Sequence, residues 1–237
     1  MFTCSIGVLS YNESKNLPLV IKGLATVANG LSDAVLKVVI INNGSTDDTM
    51  AVIKNIESDY NFVTHIDVPI NLGYGYGVKA GLKALSGDVV GYMWGDNQFD
   101  PGVVKDLLSV FANDPNIKLV KTYRRKRFDG RQRKIVSGFY QNIFRWLYGG
   151  KVIDINSTPK LFRYDFLQKI LPLQSDDWFI DAEIMIKSVR ITAGYQIREL
   201  PIDFYPRQFG KSNVRISTCF EFMRNLLFFK FKKPTNL

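Results

Sequence analysis

The chain has 237 residues, 46% of them apolar, with two cysteines, one histidine and a formal net charge of +9. That length suits one large domain with at most a small appendage, and the apolar share supplies a sizeable core. A single histidine excludes a multi-histidine zinc site, and two distant cysteines exclude a disulfide scaffold. Carboxylates, amides and basic side chains must therefore carry the chemistry. Cys4 and Cys219 fit a reducing, cytoplasmic compartment. A strand-like run starts almost at Met1 without a basic leader, and no apolar run approaches the ~18–20 residues of a membrane span.

In chain order, CSIGVL reads as a buried strand, and Leu17, Val20, Ile21 and Leu24 then recur at helical spacing. LKVVIIN is a second strand. Residues 47–58 read as a second helix, with Ser45, Thr46 and Asp47 as capping residues. FVTHIDV is a third strand, in which His65 reads as structural; 73–85 is a third helix with a glycine-rich start. DVVGYM is a fourth strand, 101–112 a fourth helix and IKLVKTY a fifth strand. Short strands alternating with helices of about 12 residues predict an α/β fold, with a Rossmann-like, mostly parallel central sheet flanked by helices. The second half is less regular: a helix over 132–148, a short strand PKLFR, a helix over 179–193, a strand YQIRELPIDF and a last helix over 215–230.

In parallel sheets, ligands bind off the carboxyl ends of the strands. Four polar clusters fall there: SYNES, NNGSTDD, NLGYGYG and WGDNQ. Glycine and asparagine also dominate ordinary turns, but four such clusters at one rim point to a binding site. The Gly-x-Gly in NLGYGYG follows the third strand and lacks a placed acidic ribose ligand, so it reads as a tight helix start. Asp96 ends the fourth strand, where a carboxylate either turns the chain before Pro101 or holds a divalent cation with Gln98. Residues 121–134 hold eight Lys/Arg and one Asp, which reads as solvated surface or as contact with an anionic partner.

VLSYNES, VVIINNGSTDDT, NLGYGYGVKAGL, GDVVGYMWGDNQFDP, FIDAEIM and RQFGKS occur in the order found in family 2 glycosyltransferases. The chain resembles most the polyprenol-phosphate branch, which includes dolichol-phosphate mannosyltransferases, over residues 4–213. The resemblance implies a GT-A fold, a nucleotide-sugar donor such as a UDP- or GDP-sugar, and Mg²⁺ or Mn²⁺. It places Ser10, Tyr11, Asn12, Glu13, Asn42, Asn43, Gly73, Lys79 and Asp96 on the donor. Asp96 and Gln98 match the metal motif, with Trp94 where the family has its first aspartate. Arg124, Arg125, Arg131 and Arg133 lie where the family turns arginines toward phosphates. Arg207, Lys211 and Ser212 match a phosphate-binding Arg-x-x-Gly-x-Ser loop. Asp154, Asp181 and Glu183 fall on the acceptor side, and Asp96, Asp181 and Arg207 are the implied catalytic residues. Asp181 is either a base or a positioning ligand, and STPKLFR departs from the family pattern of glycine, phenylalanine and arginine.

The activity implied is inverting transfer of a sugar to a polyprenyl phosphate, with a glycan or other hydroxyl acceptor as the alternative. A basic nucleic-acid-binding module and an inactive donor-binding relative are the readings from other classes; nucleic acid is not the expected partner. The expected organisation is a catalytic domain over 1–213 and an amphipathic helix within 214–237. That helix has an apolar stripe and a basic end, which suits either packing on the domain or peripheral contact with an anionic membrane.

Overall fold

Along β1 (Phe2–Ser10), Cys4, Ile6 and Val8 join one core cluster and Leu9 the other. In β2 (Ala34–Asn43), Val38 and Ile40 go to the first cluster, Val39 and Ile41 to the second. A strand buried on both faces in this way belongs inside a sheet that helices cover on both sides. The computed structural model describes residues 1–128, 131–149, 152–209 and 224–230, with only the backbone for Arg127 and residues 131–137.

The elements after β1 and β2 are β3 (Val63–Val68), β4 (Val89–Trp94), β5 (Leu119–Arg127), β6 (Lys160–Arg163) and β7 (Ile197–Phe204). The helices are α1 (Leu17–Asn29), α2 (Thr49–Asp59), α3 (Tyr74–Ala84), α4 (Val103–Asn113), α5 (Arg131–Tyr148), α6 (Tyr164–Ile170) and α7 (Ile180–Thr192). The strands form one sheet in the order β3-β2-β1-β4-β6-β5-β7. β6 alone runs against its neighbours β4 and β5. The α1, α2 and α4 stripes fill the core on one face, and α3, α5, α6 and α7 fill it on the other. The predicted α/β sheet is therefore present.

Several boundaries moved. β4 keeps Trp94 as its last residue, and β5 runs on through Arg127, into the basic stretch. The seven-residue α6 was not expected from sequence. Ser45 and Thr46 do not cap α2; the Asp47 carboxylate accepts the Thr49 N–H at 3.0 Å. The tight packing expected of α3 holds, because a Cβ on Gly81 would stand 2.6 Å from Ile41 Cδ1. Of the last helix, 224–230 is described and helical; Cys219 and the rest of that segment lie outside the described residues.

β4 and β6 approach closely at Gly91, where an added Cβ would fall 2.1 Å from the Lys160 carbonyl oxygen. Backbone cannot retreat there as a side-chain tip can. Gly91→Ala is expected to cost about 1–3 kcal/mol, read as a lower urea midpoint with an unchanged m-value.

Candidate functional site

Parallel pairing levels the carboxyl ends of the first four strands: Ser10 pairs with Asn42, Asn43 with Val68, and Leu9 with Trp94. The four polar clusters thus share one rim. Their side chains mostly stitch the loops to each other. Asn12 Oδ1 accepts the Thr46 N–H at 2.8 Å, and Ser45 Oγ accepts the Asn12 N–H at 3.0 Å. Thr49 Oγ1 accepts the Glu13 N–H at 2.9 Å. Asn12 and Asn97 take positive φ values of 58° and 55°, a conformation asparagine tolerates better than most residues. A cavity of about 240 Å³ opens between Asn12, Glu13, Lys15, Asp47 and Phe209.

Asn42 and Asn43 were expected to touch the donor. Both are buried, and their amide nitrogens donate to Asp67 Oδ1 at 2.7 Å and to the Gly73 carbonyl at 3.1 Å. They brace the second and third rim loops. Lys79 likewise spends its charge on Asp176, at 2.6 Å. Ser10 is buried, and its hydroxyl faces the Val8 carbonyl.

Among the buried carboxylates, Glu13, Asp96, Asp154 and Asp181 each meet a cation. Arg207 bridges two of them, with Nη1 3.0 Å from Glu13 Oε1 and Nη2 3.1 Å from Asp96 Oδ2. Burial raises the pKa of both acids, and the Arg207 charge only partly opposes it. Gln98 Nε2 donates to the Tyr205 carbonyl at 2.8 Å, and the Tyr205 N–H donates back to the Gln98 carbonyl. This exchange fixes the segment that carries Arg207 beside Asp96.

Arg124 forks onto Asp154, Nε to Oδ2 at 2.6 Å and Nη2 to Oδ1 at 2.8 Å. Burial pushes the Asp154 carboxyl up, but Arg124 and then Lys121 outweigh it and hold the group well below the usual range. Arg124 was expected to face a phosphate; here its fork is filled by a carboxylate. Arg125 pairs with Asp203 at 3.1 Å. Lys121 is fully buried and pairs with Glu199 at 2.9 Å. Lys121 and Arg124 of the basic stretch are thus neutralised inside the fold, whereas Arg125 and Lys126 stay exposed. The side chains of Arg131 and Arg133, and residues Lys211 and Ser212, lie outside the described residues.

Asp181 departs furthest from expectation. It opens α7 within the core, where its Oδ1 takes the Lys160 ammonium and the Tyr92 hydroxyl, the latter at 2.6 Å. Lys160 and Asp181 are both buried. Burial lowers the Lys160 pKa and Asp181 partly restores it, leaving it at about 8. Asp181 Oδ1 is thus committed to two buried neighbours. Glu183, expected near the acceptor, is a buried brace: it accepts the N–H groups of Gln174 and Ser175 and pairs with Lys187 at 3.1 Å.

Lys160 and Tyr92 were missed as site residues. The one available signal was the departure of STPKLFR from the family pattern of glycine, phenylalanine and arginine. Trp94 also acquires a role. Its Nε1 donates to Tyr74 Oη at 2.9 Å, Tyr74 stacks on Trp178 at 4.3 Å, and Trp94 meets Phe204 edge-on at 6.0 Å. An aromatic cluster thus stands beside Asp96, where the family pattern has its first aspartate.

A hard cation would find one carboxylate, Asp96, and the Gln98 carboxamide oxygen, since Gln98 Nε2 is already committed. Among the described residues no group of three His, Cys, Asp or Glu could hold a metal. That donor set fits a Mg²⁺ or Mn²⁺ site only when substrate phosphates complete the shell, a common arrangement for Mg²⁺.

Comparison with known proteins agrees with this architecture. Two curated relatives are undecaprenyl-phosphate 4-deoxy-4-formamido-L-arabinose transferases, from Sodalis glossinidius (strain morsitans) and Salmonella choleraesuis (strain SC-B67). They are 24% and 26% identical over 224 and 227 residues, which cover 94% of this chain and 66% of each relative. The chain thus spans just under two thirds of their length. Among solved structures, glucosyl-3-phosphoglycerate synthase from Mycobacterium tuberculosis with Mn²⁺ and UDP-glucose superposes with a TM-score of 0.76. It is 19% identical, over 99% of this chain and 81% of that one. The same synthase with UDP gives 0.75 at 18% identity, over 100% and 83%. The fold is GT-A. The family model described as Glycosyl transferase family 2 matches residues 5–171, most of the chain, and the chain belongs to that family.

Proposed function

We propose that the chain transfers a sugar from a nucleoside diphosphate donor to a polyprenyl phosphate, with inversion at the anomeric carbon. The observation that carries this reading is the pairing of the buried carboxylates expected at the site. Glu13, Asp96, Asp154 and Asp181 are each paired with Arg or Lys. A hydroxyl acceptor needs a base to take its proton. A phosphate acceptor is already ionised at neutral pH and needs positioning and charge neutralisation instead. The names of the curated relatives, undecaprenyl-phosphate transferases, support the same acceptor class.

In this reading Asp96 and Gln98 hold a Mg²⁺ or Mn²⁺ ion, which supplies positive charge to the diphosphate as its bond to the sugar breaks. Arg207 sits within reach of the same diphosphate and adds a forked donor. The first rim loop, Ser10–Glu13, borders the donor, and the exposed Arg125 borders the acceptor phosphate, with Arg124 held behind it by Asp154. The protein works at the cytoplasmic membrane face as a peripheral enzyme. Among the described residues no helix is long and apolar enough to cross a membrane.

The test pairs one prenyl chain in two forms. The protein is incubated with UDP- and GDP-sugars and Mn²⁺, with either the polyprenyl phosphate or the corresponding polyprenol. Nucleoside diphosphate release with the phosphate and not the alcohol is expected. Release with the alcohol alone, or with neither across the donor panel, overturns the proposal.

A further inference from the structure

Trp94 closes β4 at the rim, two residues before Asp96, and is part-exposed there. Its ring is nonetheless fixed. The only N–H it has is spent on Tyr74 Oη at 2.9 Å, and it meets Phe204 at an interplanar angle of 68°. The next residue is held as well, since the Gly95 N–H donates to the Leu9 carbonyl at 2.8 Å. Phe204 belongs to one core cluster and Tyr74 packs on the other. Trp94 therefore ties the two faces of the sheet together at the carboxyl ends of its strands, where ligands of such sheets bind.

Tyr74 is anchored in turn. Its ring lies nearly parallel to that of Trp178, 13° apart at 4.3 Å. Burial first, then the charge of Asp181 and more weakly that of Asp96, raise the Tyr74 pKa well above its usual value. The hydroxyl thus stays protonated while it accepts the indole N–H.

A fixed indole that meets water is a recognition surface. The face of an aromatic ring carries negative charge and its complement is a positive edge, so a pyranose lies on an indole through its C–H face. Two residues of chain span at most about 7 Å, so a sugar bonded to a diphosphate at Asp96 comes within reach of Trp94. Gly95, between them, puts no side chain in the way; a Cβ there would stand 2.9 Å from both the Leu9 carbonyl oxygen and Ser10 Oγ.

We propose that Trp94 is the floor on which the pyranose ring of the donor stacks, with Tyr74 as the positioning residue that sets the angle of that floor. The inference deepens the sugar-transfer reading and rests on it for the diphosphate at Asp96. It also gives the departure at position 94 a purpose. An indole reads the C–H bonds of the sugar, where a carboxylate would read hydroxyls or a cation.

Calorimetry with UDP, UDP-glucose, GDP and GDP-mannose, each with Mn²⁺, tests the floor without any acceptor. For the nucleotide that the parent binds, Trp94→Leu is expected to raise the Kd of the nucleotide sugar about tenfold and to leave that of the bare nucleoside diphosphate within about twofold. Retained binding of the bare nucleotide shows at the same time that the variant folds. Trp94→Phe keeps an aromatic face and should lose less. Tyr74→Phe keeps the stack on Trp178 but releases the indole N–H, and should show the same selective loss in smaller measure. An unchanged Kd for the nucleotide sugar in Trp94→Leu overturns the proposal. So does an equal loss for both ligands, because the tryptophan then props the loop or meets the nucleoside. Should the parent bind none of these ligands, the proposal falls together with the donor reading. Selective loss in a protein that does not transfer to a polyprenyl phosphate leaves the floor standing and removes the acceptor reading. Transfer without selective loss does the reverse.

Discussion

Lys160→Met is expected to destabilise the fold by about 3–5 kcal/mol, because it strands a buried charge. Methionine nearly matches the lysine stem in volume, so packing changes little. What changes is Asp181, which keeps the Tyr92 hydroxyl but loses its countercharge. The double variant Lys160→Met/Asp181→Asn should recover most of the loss, since a buried ion pair is worth little against neutral groups of similar shape. Urea unfolding of the two single variants and the double variant gives the coupling directly.

Proton linkage adds a second readout. Lys160 titrates near 8 in the folded chain, against an ordinary value of 10.5. Between those values the unfolded chain holds more protons, so this group makes stability rise with pH across the window. That rise should be missing from Lys160→Met. A loss below about 1 kcal/mol in the single variant would mean that Asp181 has another countercharge.

Asp96→Asn is expected to lower turnover by about 10²–10³-fold while leaving stability within about 1 kcal/mol of the parent. The two effects separate because burial already disfavours the Asp96 charge, and Arg207 keeps Glu13 as a partner. Arg207→Gln should behave differently. It leaves Glu13 and Asp96 as two buried acids without their shared cation, so it should cost stability as well as turnover. Single-turnover nucleotide release and thermal unfolding on both variants distinguish these cases. If Asp96→Asn retains more than about a tenth of parental turnover, Asp96 does not meet the donor diphosphate in the manner proposed.

Much of this was legible in the sequence because it is local. The apolar runs of β1, β2 and β4 can be read directly, and a polar cluster after each marks the rim. The features that escaped depend on distant partners. Lys121 looks like surface charge until Glu199, 78 residues later, arrives beside it in the core. Lys160 reads as an ordinary lysine in a four-residue strand, yet its partner lies on α7. The resemblance placed Asp96 and Arg207 at the site, but no periodicity joins Arg207 to Glu13 across 194 positions. The reversed direction of β6 has no sequence signature, and α6 is too short for its period to register.

The strand order bears on how the polypeptide is made. β5 has only β6 and β7 as neighbours in the sheet, and both come later in the sequence. During vectorial synthesis the first four strands can pair among themselves while β5 waits beside the ribosome without a ladder. Lys121 stays hydrated through that interval, because Glu199 has not yet been translated. Closure of this half of the sheet is therefore a late event, and its unpaired edge is where a nascent chain would most need shielding by a chaperone.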